Sequence, residues 1–203
     1  TNLYITEGVA SGDVTIENVT VDNDIYIKGG GINTVHLKKV NARRIHAERK
    51  ADRVRVKFEN VTTTENVSIG RNVIVDGELS NAELVESNSA VDVKGKVNNL
   101  KVKGDNVSLN VDGSVNNLDI EGGNAKVNGS GSISKANING RGANLSFYPE
   151  STNVGANVSA TISGTTVEGG TSGKTVPKPT PPSSGGTGTV RPIGPRLSTD
   201  ATL

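Results

Sequence analysis

Residues 95–112 read GKVNNLKVKGDNVSLNVD, and residues 113–130 restate them as GSVNNLDIEGGNAKVNGS. A unit of 18 residues is too short to bury its own apolar side. Neighbouring units must stack so that their apolar positions merge into one continuous core. Three columns of such positions run along the chain. The first is Val14, Val35, Val56, Val73, Val91, Leu109, Val127 and Leu145, with steps of 21, 21 and 17 and then 18 throughout. The second is Val19, Val40, Val61, Leu79, Val97, Val115 and Ile133. The third is Leu3, Ile25, Ile45, Val67, Ala82, Leu100, Leu118 and Ala136.

Within a unit the apolar residues sit two apart, as in Val14 and Ile16 or Ile25 and Ile27. That is the alternation of a strand with one side in and one side out. Gly, Asn and Asp lie between the pairs, where tight or left-handed backbone is needed. Three short strands per unit, repeated about eight times, predict an all-β chain folded as a parallel β-helix, a solenoid with turns of 18–21 residues. The inward positions of one turn are 97, 100, 102, 107, 109 and 111. Their uneven gaps depart from the six-residue period of the left-handed form, so the right-handed form is expected. The polar positions repeat as well. Asn81, Asn99 and Asn117 form one series, Asn88, Asn106 and Asn124 another, and Gly77, Gly95, Gly113 and Gly131 a third. Stacked amides are expected to bond along the axis.

The repeat fades after Phe147. The β-helix module is therefore expected over 1–167, and 168–203, rich in Pro, Gly, Ser and Thr, reads as a linker and tail. The chain starts directly in strand-like sequence, which suggests a piece excised from a longer protein. Net charge is +1 among 203 residues, so no global field points to nucleic acid or a membrane. No apolar run approaches the length that spans a bilayer. Neither nucleic acid nor membrane insertion is expected. The chain has no Cys and no Trp. A ligand site must then work mainly with polar groups and a few tyrosines.

Several positions stand out on the exterior. Tyr4, Tyr26 and His46 occupy equivalent outward places and are expected to stack at about 5 Å per turn, a strip that suits the flat face of a polysaccharide. Cross-strand packing alone would account for it equally. Asp22 and Asp24, with Asp13 near, are candidate Ca²⁺ ligands, although the same aspartates serve as turn formers. Residues 38–57 carry nine Lys or Arg against Glu48 and Asp52, a candidate grip on an anionic wall polymer. The bonds Asn128–Gly129 and Asn139–Gly140 are candidate sites of deamidation or scission, because Gly leaves its nitrogen free to attack the Asn amide. N-glycosylation-type triplets such as those beginning at Asn18, Asn60, Asn66, Asn106, Asn144 and Asn157 read as by-products of Asn preceding β-branched residues. No catalytic residue is assigned. The first face shows no carboxylate pair on adjacent turns, and neither His has an evident acid partner.

Residues 11–40, SGDVTIENVTVDNDIYIKGGGINTVHLKKV, resemble blocks found in large surface proteins of Gram-positive bacteria. Among these the chain is most similar to the family 54 carbohydrate-binding module of cell-surface glucanases, over roughly 1–167. The resemblance implies a right-handed β-helix that binds insoluble polysaccharide such as β-glucan, xylan or chitin, with Ca²⁺ as a possible cofactor. It also implies an extracellular, S-layer-associated place on the bacterial surface, beside a glycoside hydrolase and other modules of the same polypeptide. It supplies no sugar-contact motif that maps onto these positions. The expected function is a non-catalytic binding module, and the alternative is a structural spacer without a ligand.

Overall fold

The computed structural model describes residues 1–50 and 52–180. They form a parallel β-solenoid of about nine coils, whose bridges join residues about 18 apart. No α-helix occurs among the described residues, so none is long and apolar enough to cross a membrane. The first full coils run as long bent strands, Val14–Ile27 and Val35–Ala47. Later coils divide into a short strand and a bent one, as in Ala90–Val93 followed by Lys96–Val102. The bend is visible in the pairing. Val97 faces Val115 and Asn99 faces Asn117, while Asn98 and Asn116 fall between the two ladders.

The six inward positions expected from the repeat, Val97, Leu100, Val102, Val107, Leu109 and Val111, are all buried. Each fully buried Val, Leu or Ile contributes about 1.5–3 kcal/mol relative to the exposed side chain. The third apolar column stacks as expected from Leu3 and Ile25 through Ala82, Leu100, Leu118 and Ala136. It then ends on Thr152, a buried hydroxyl without a hydrogen-bond partner.

The first column needs one correction. Val56 faces Val75, while Val73 faces Val54. The step there is 19 rather than 17, and two inward columns had been spliced into one. Outside, Lys57 consequently lies beside Asp76, and Ile74 lies beside Arg55. The extra length enters between Phe58 and Val73, where the short strands Thr62–Thr63 and Val67–Ile69 replace a continuous one.

Corners explain the Gly and Asn series. A Cβ at Gly113 would stand 1.9 Å from the Gly95 carbonyl oxygen, so the backbones of successive coils approach too closely there for any side chain. Asn72, Asn88, Asn106 and Asn124 adopt positive φ between 53 and 62°. Asn tolerates this left-handed backbone better than other residues with a Cβ. Asn18, Asn60 and Asn157 share the conformation, so these three triplets and the one at Asn106 begin at a residue whose corner geometry favours Asn, although Lys39 takes the same backbone between Asn18 and Asn60. The amide series bonds along the axis: Asn99 donates to Asn81 at 2.8 Å, and Asn117 donates to Asn99 at 2.9 Å. A second ladder joins Asn88, Asn106 and Asn124 at 3.2 and 3.3 Å.

Strand pairing runs past the expected module boundary at 167. Ser159–Ile162 and Thr165–Glu168 make an antiparallel hairpin, closed at Ser163 and Gly164. Both closing residues have positive φ, as a two-residue hairpin with a primed turn requires. Lys174–Pro177 then lies antiparallel to Ser151–Val154. The parallel stack thus ends under two reversed strands, so that Glu168 and Lys174–Pro177, joined by a turn, lie in the sheet. The remainder of the expected tail, 181–203, lies outside the described residues.

Candidate functional site

The third face carries one outward row from end to end. Its members are Tyr4, Tyr26, His46, Ser68, Glu83, Lys101, Asp119 and Asn137. Alternation on the pleat fixes their direction, because each stands between two inward neighbours such as Ile25 and Ile27 around Tyr26. The first three rings are parallel. Tyr4 and Tyr26 have centroids 5.0 Å apart and an interplanar angle of 8°. Tyr26 and His46 are 4.6 Å apart at 4°. The separation expected from the repeat is realised, and Tyr4 at the end of the row is 58% exposed.

Asp24 organises the row from beneath. It is 5% exposed. Its carboxylate accepts hydrogen bonds from Tyr26 Oη at 3.3 Å, His46 Nε2 at 3.2 Å and Arg43 Nε at 3.0 Å. Burial works to raise the Asp24 pKa, but the His46 hydrogen bond and the Arg43 charge outweigh it, and the group is held below its ordinary value. Tyr26 shifts upward, through burial first and then through the charge and hydrogen bond of Asp24, so its hydroxyl remains a donor. His46 therefore has an acid partner, and so does His36, whose Nε2 lies 3.1 Å from Glu59. Both partners come from a different coil, which sequence inspection did not reveal.

The three aspartates considered as Ca²⁺ ligands stand in different surroundings. Asp24 is engaged by a guanidinium and an imidazole, Asp13 accepts from the Thr34 amide at 3.1 Å, and Asp22 is largely exposed. The three do not converge. Among the described residues no group of three or more His, Cys, Asp or Glu is placed to hold a metal ion.

Two shallow clefts flank the rings and adjoin at Tyr26 and Lys28. One, of about 330 Å³, includes Tyr4, Thr6 and Glu7. The other, of about 190 Å³, includes His46, Glu48 and Glu86. Glu48 and Glu86 meet over Gly70, where a Cβ would stand 2.8 Å from the Glu48 Cβ and 3.2 Å from the Glu86 carboxyl. The neighbouring Glu48 and then the hydrogen bond from Arg71 draw the Glu86 pKa down, against burial. Lys28 pairs with Glu48 at 3.5 Å and Arg71 with Glu86 at 3.0 Å. This carboxylate pair was not recognised in the sequence, because its members are 38 positions apart and belong to no repeated column.

The basic stretch 38–57 is largely paired off. Lys38 meets Glu17 at 3.1 Å, Arg43 meets Asp24 at 2.9 Å, Arg44 meets Glu65, and Arg53 meets Asp92. Arg49 meets Asp52 at 3.5 Å. These carboxylates lie one coil away (Glu17, Asp24 and Glu65), two coils away (Asp92) and within the stretch itself (Asp52), so the local charge excess is answered in part. Comparison with protein-family models, curated proteins and solved structures finds no match to this chain.

Proposed function

We propose that this chain is a non-catalytic carbohydrate-binding module, which attaches a modular glycoside hydrolase of the bacterial cell surface to insoluble polysaccharide such as β-glucan, xylan or chitin. The observation that carries the reading is the stacked row Tyr4–Tyr26–His46, which ends in the 58% exposed Tyr4. The uncovered outer face of Tyr4 suits the apolar face of a pyranose ring, while the edges of Tyr26 and His46 and the side chains of Lys28, Glu7, Glu48 and Glu86 offer donors and acceptors to sugar hydroxyls. The site is open and shallow, which suits an extended chain rather than an enclosed small molecule. Glu48 is paired with Lys28 and Glu86 with Arg71, so they are assigned to hydroxyl recognition and not to acid–base chemistry. Tethering would raise the effective concentration of substrate for a neighbouring module.

The test is retention on insoluble β-glucan, xylan and chitin at low and high salt, with Ca²⁺ or EDTA. Retention on at least one neutral polymer is expected. It should persist at high salt, be indifferent to EDTA, and fall at least about tenfold in Tyr4→Ala, equivalent to about 1.4 kcal/mol. Loss in high salt would favour an anionic wall polymer. No retention on any polymer would overturn the reading in favour of a spacer. The spacer reading rests on the regular coil stacking and its axial amide ladders.

A further inference from the structure

The repeat breaks once in a way that leaves room for a ligand. In the regular coils the first face passes through a Gly corner onto the second face, as Lys126–Asn128 passes through Gly129 and Gly131 to Ser132. The next coil omits the second-face strand. After Ala143–Leu145 the chain crosses as Ser146, Phe147, Tyr148 and Pro149, outside any strand, and rejoins the third face at Ser151. The second-face ladder of strands therefore stops at Ser132 and Ile133, the Ile133 carbonyl accepting instead from the Glu150 amide at 3.0 Å, and a notch opens beside it.

The notch has a volume of about 490 Å³, larger than either cleft on the Tyr4–Tyr26–His46 row. Its floor is Ile133, one wall is Phe147 and Tyr148, and the other is Lys178 with Pro179. The two aromatic residues are half-buried against the core. The exposed serines Ser130, Ser132, Ser146 and Ser163 ring the opening. Glu150 and Lys178 are the charged residues lining it, and they pair with each other at 2.7 Å. The opening thus presents no unbalanced charge.

We infer that this notch is a second saccharide site, which takes the end of a short neutral oligosaccharide. The aromatic wall supplies a platform for one pyranose face, the serine hydroxyls match sugar hydroxyls, and the closed ion pair leaves no attraction for an anionic ligand. A notch bounded on two sides admits a chain end, unlike the open strip at the other end of the solenoid. The inference takes its ligand class from the proposed function but uses none of the same residues.

The experiment is a titration of the full chain with soluble β-gluco-, xylo- and chito-oligosaccharides, followed by amide chemical shifts. Shifts at Ser130, Ser132, Ser146 and Ser163 are expected with at least one oligosaccharide. Tyr148→Ala and the cleft-filling Ser146→Arg should each weaken binding at the notch at least tenfold, while Lys94→Ala, at an exposed position outside both sites, should leave it unchanged. Ser146→Arg alters an exposed side chain and guards against misreading a folding defect in Tyr148→Ala. Shifts confined to the Tyr26 row, an absence of shifts with every oligosaccharide, or unchanged binding in Ser146→Arg would overturn the inference. So would a proline-rich peptide shifting the same amides when none of the sugars does. Retention on insoluble polysaccharide without shifts at the notch would sink this site alone. Shifts at the notch without retention would sink the strip and leave this site standing.

Discussion

Asp24 gathers three side chains from two coils, and its ionisation has a direct consequence for stability. Its folded pKa lies below the ordinary 3.8 because His46 and Arg43 favour the carboxylate more than burial opposes it. A carboxylate shifted down on folding stabilises the native state above the unfolded pKa. That contribution disappears as pH falls through the folded value. The melting temperature of the native sequence should therefore fall more steeply below pH 3.8 than that of Asp24→Asn, and parallel curves in thermal melts would refute this. The two Asn–Gly bonds behave differently from the expectation for a free peptide. Gly140 N donates to Ile120 O at 2.9 Å, and Gly129 is held at φ 124° with its Cβ position 2.0 Å from Val111 O. The backbone cannot easily swing its nitrogen onto the Asn side chain. Peptide mass spectrometry after storage at mildly alkaline pH should show much slower deamidation at Asn128 and Asn139 in folded protein than in urea. Equal rates would refute the protection.

At the scale of the strand and its corner, close stacking makes some glycines irreplaceable and others indifferent. Gly113→Ala would force a methyl to within 1.9 Å of a carbonyl oxygen, whereas Gly123→Ala would meet nothing nearer than 3.4 Å. Urea unfolding should show a loss of about 1–3 kcal/mol for the first and little change for the second. This column was legible in the sequence because a corner repeated every 18 residues leaves the same demand on each copy. The aromatic row was legible for the same reason: Tyr4, Tyr26 and His46 occupy equivalent places on the pleat. What could not be read was whatever the period does not carry. The step from Val56 to Val75 was lost because two inward valines, Val73 and Val75, fit the alternation equally well. The partners of His46 and His36 were missed because each reaches across coils and along the row at once. The closing hairpin at Ser163 and Gly164 carried a readable turn signal, but the Thr-rich strand after it has a single apolar residue, Val167, and so no alternation to read.

Across the whole molecule the two ends of the stack differ. At the C-terminal end, Thr165–Glu168 covers the last first-face strand, and Lys174–Pro177 covers the last third-face strand. These are four-residue strands bearing Lys174 and Pro177, features that discourage further edge pairing. Deleting residues 165–180 should uncover Ser151–Val154 and Ser159–Ile162. Size-exclusion chromatography should then show concentration-dependent association that the full chain lacks, and a monomer at every concentration would argue against a capping role. The same asymmetry bears on how the chain acquires its shape during synthesis. Each coil needs only the coil before it, about 18 residues earlier, so the solenoid can wind up behind the growing end without waiting for the rest. The reversed strands emerge last and cannot be extended in the parallel sense. They act as a stop signal written in backbone direction, setting the number of coils in the finished stack.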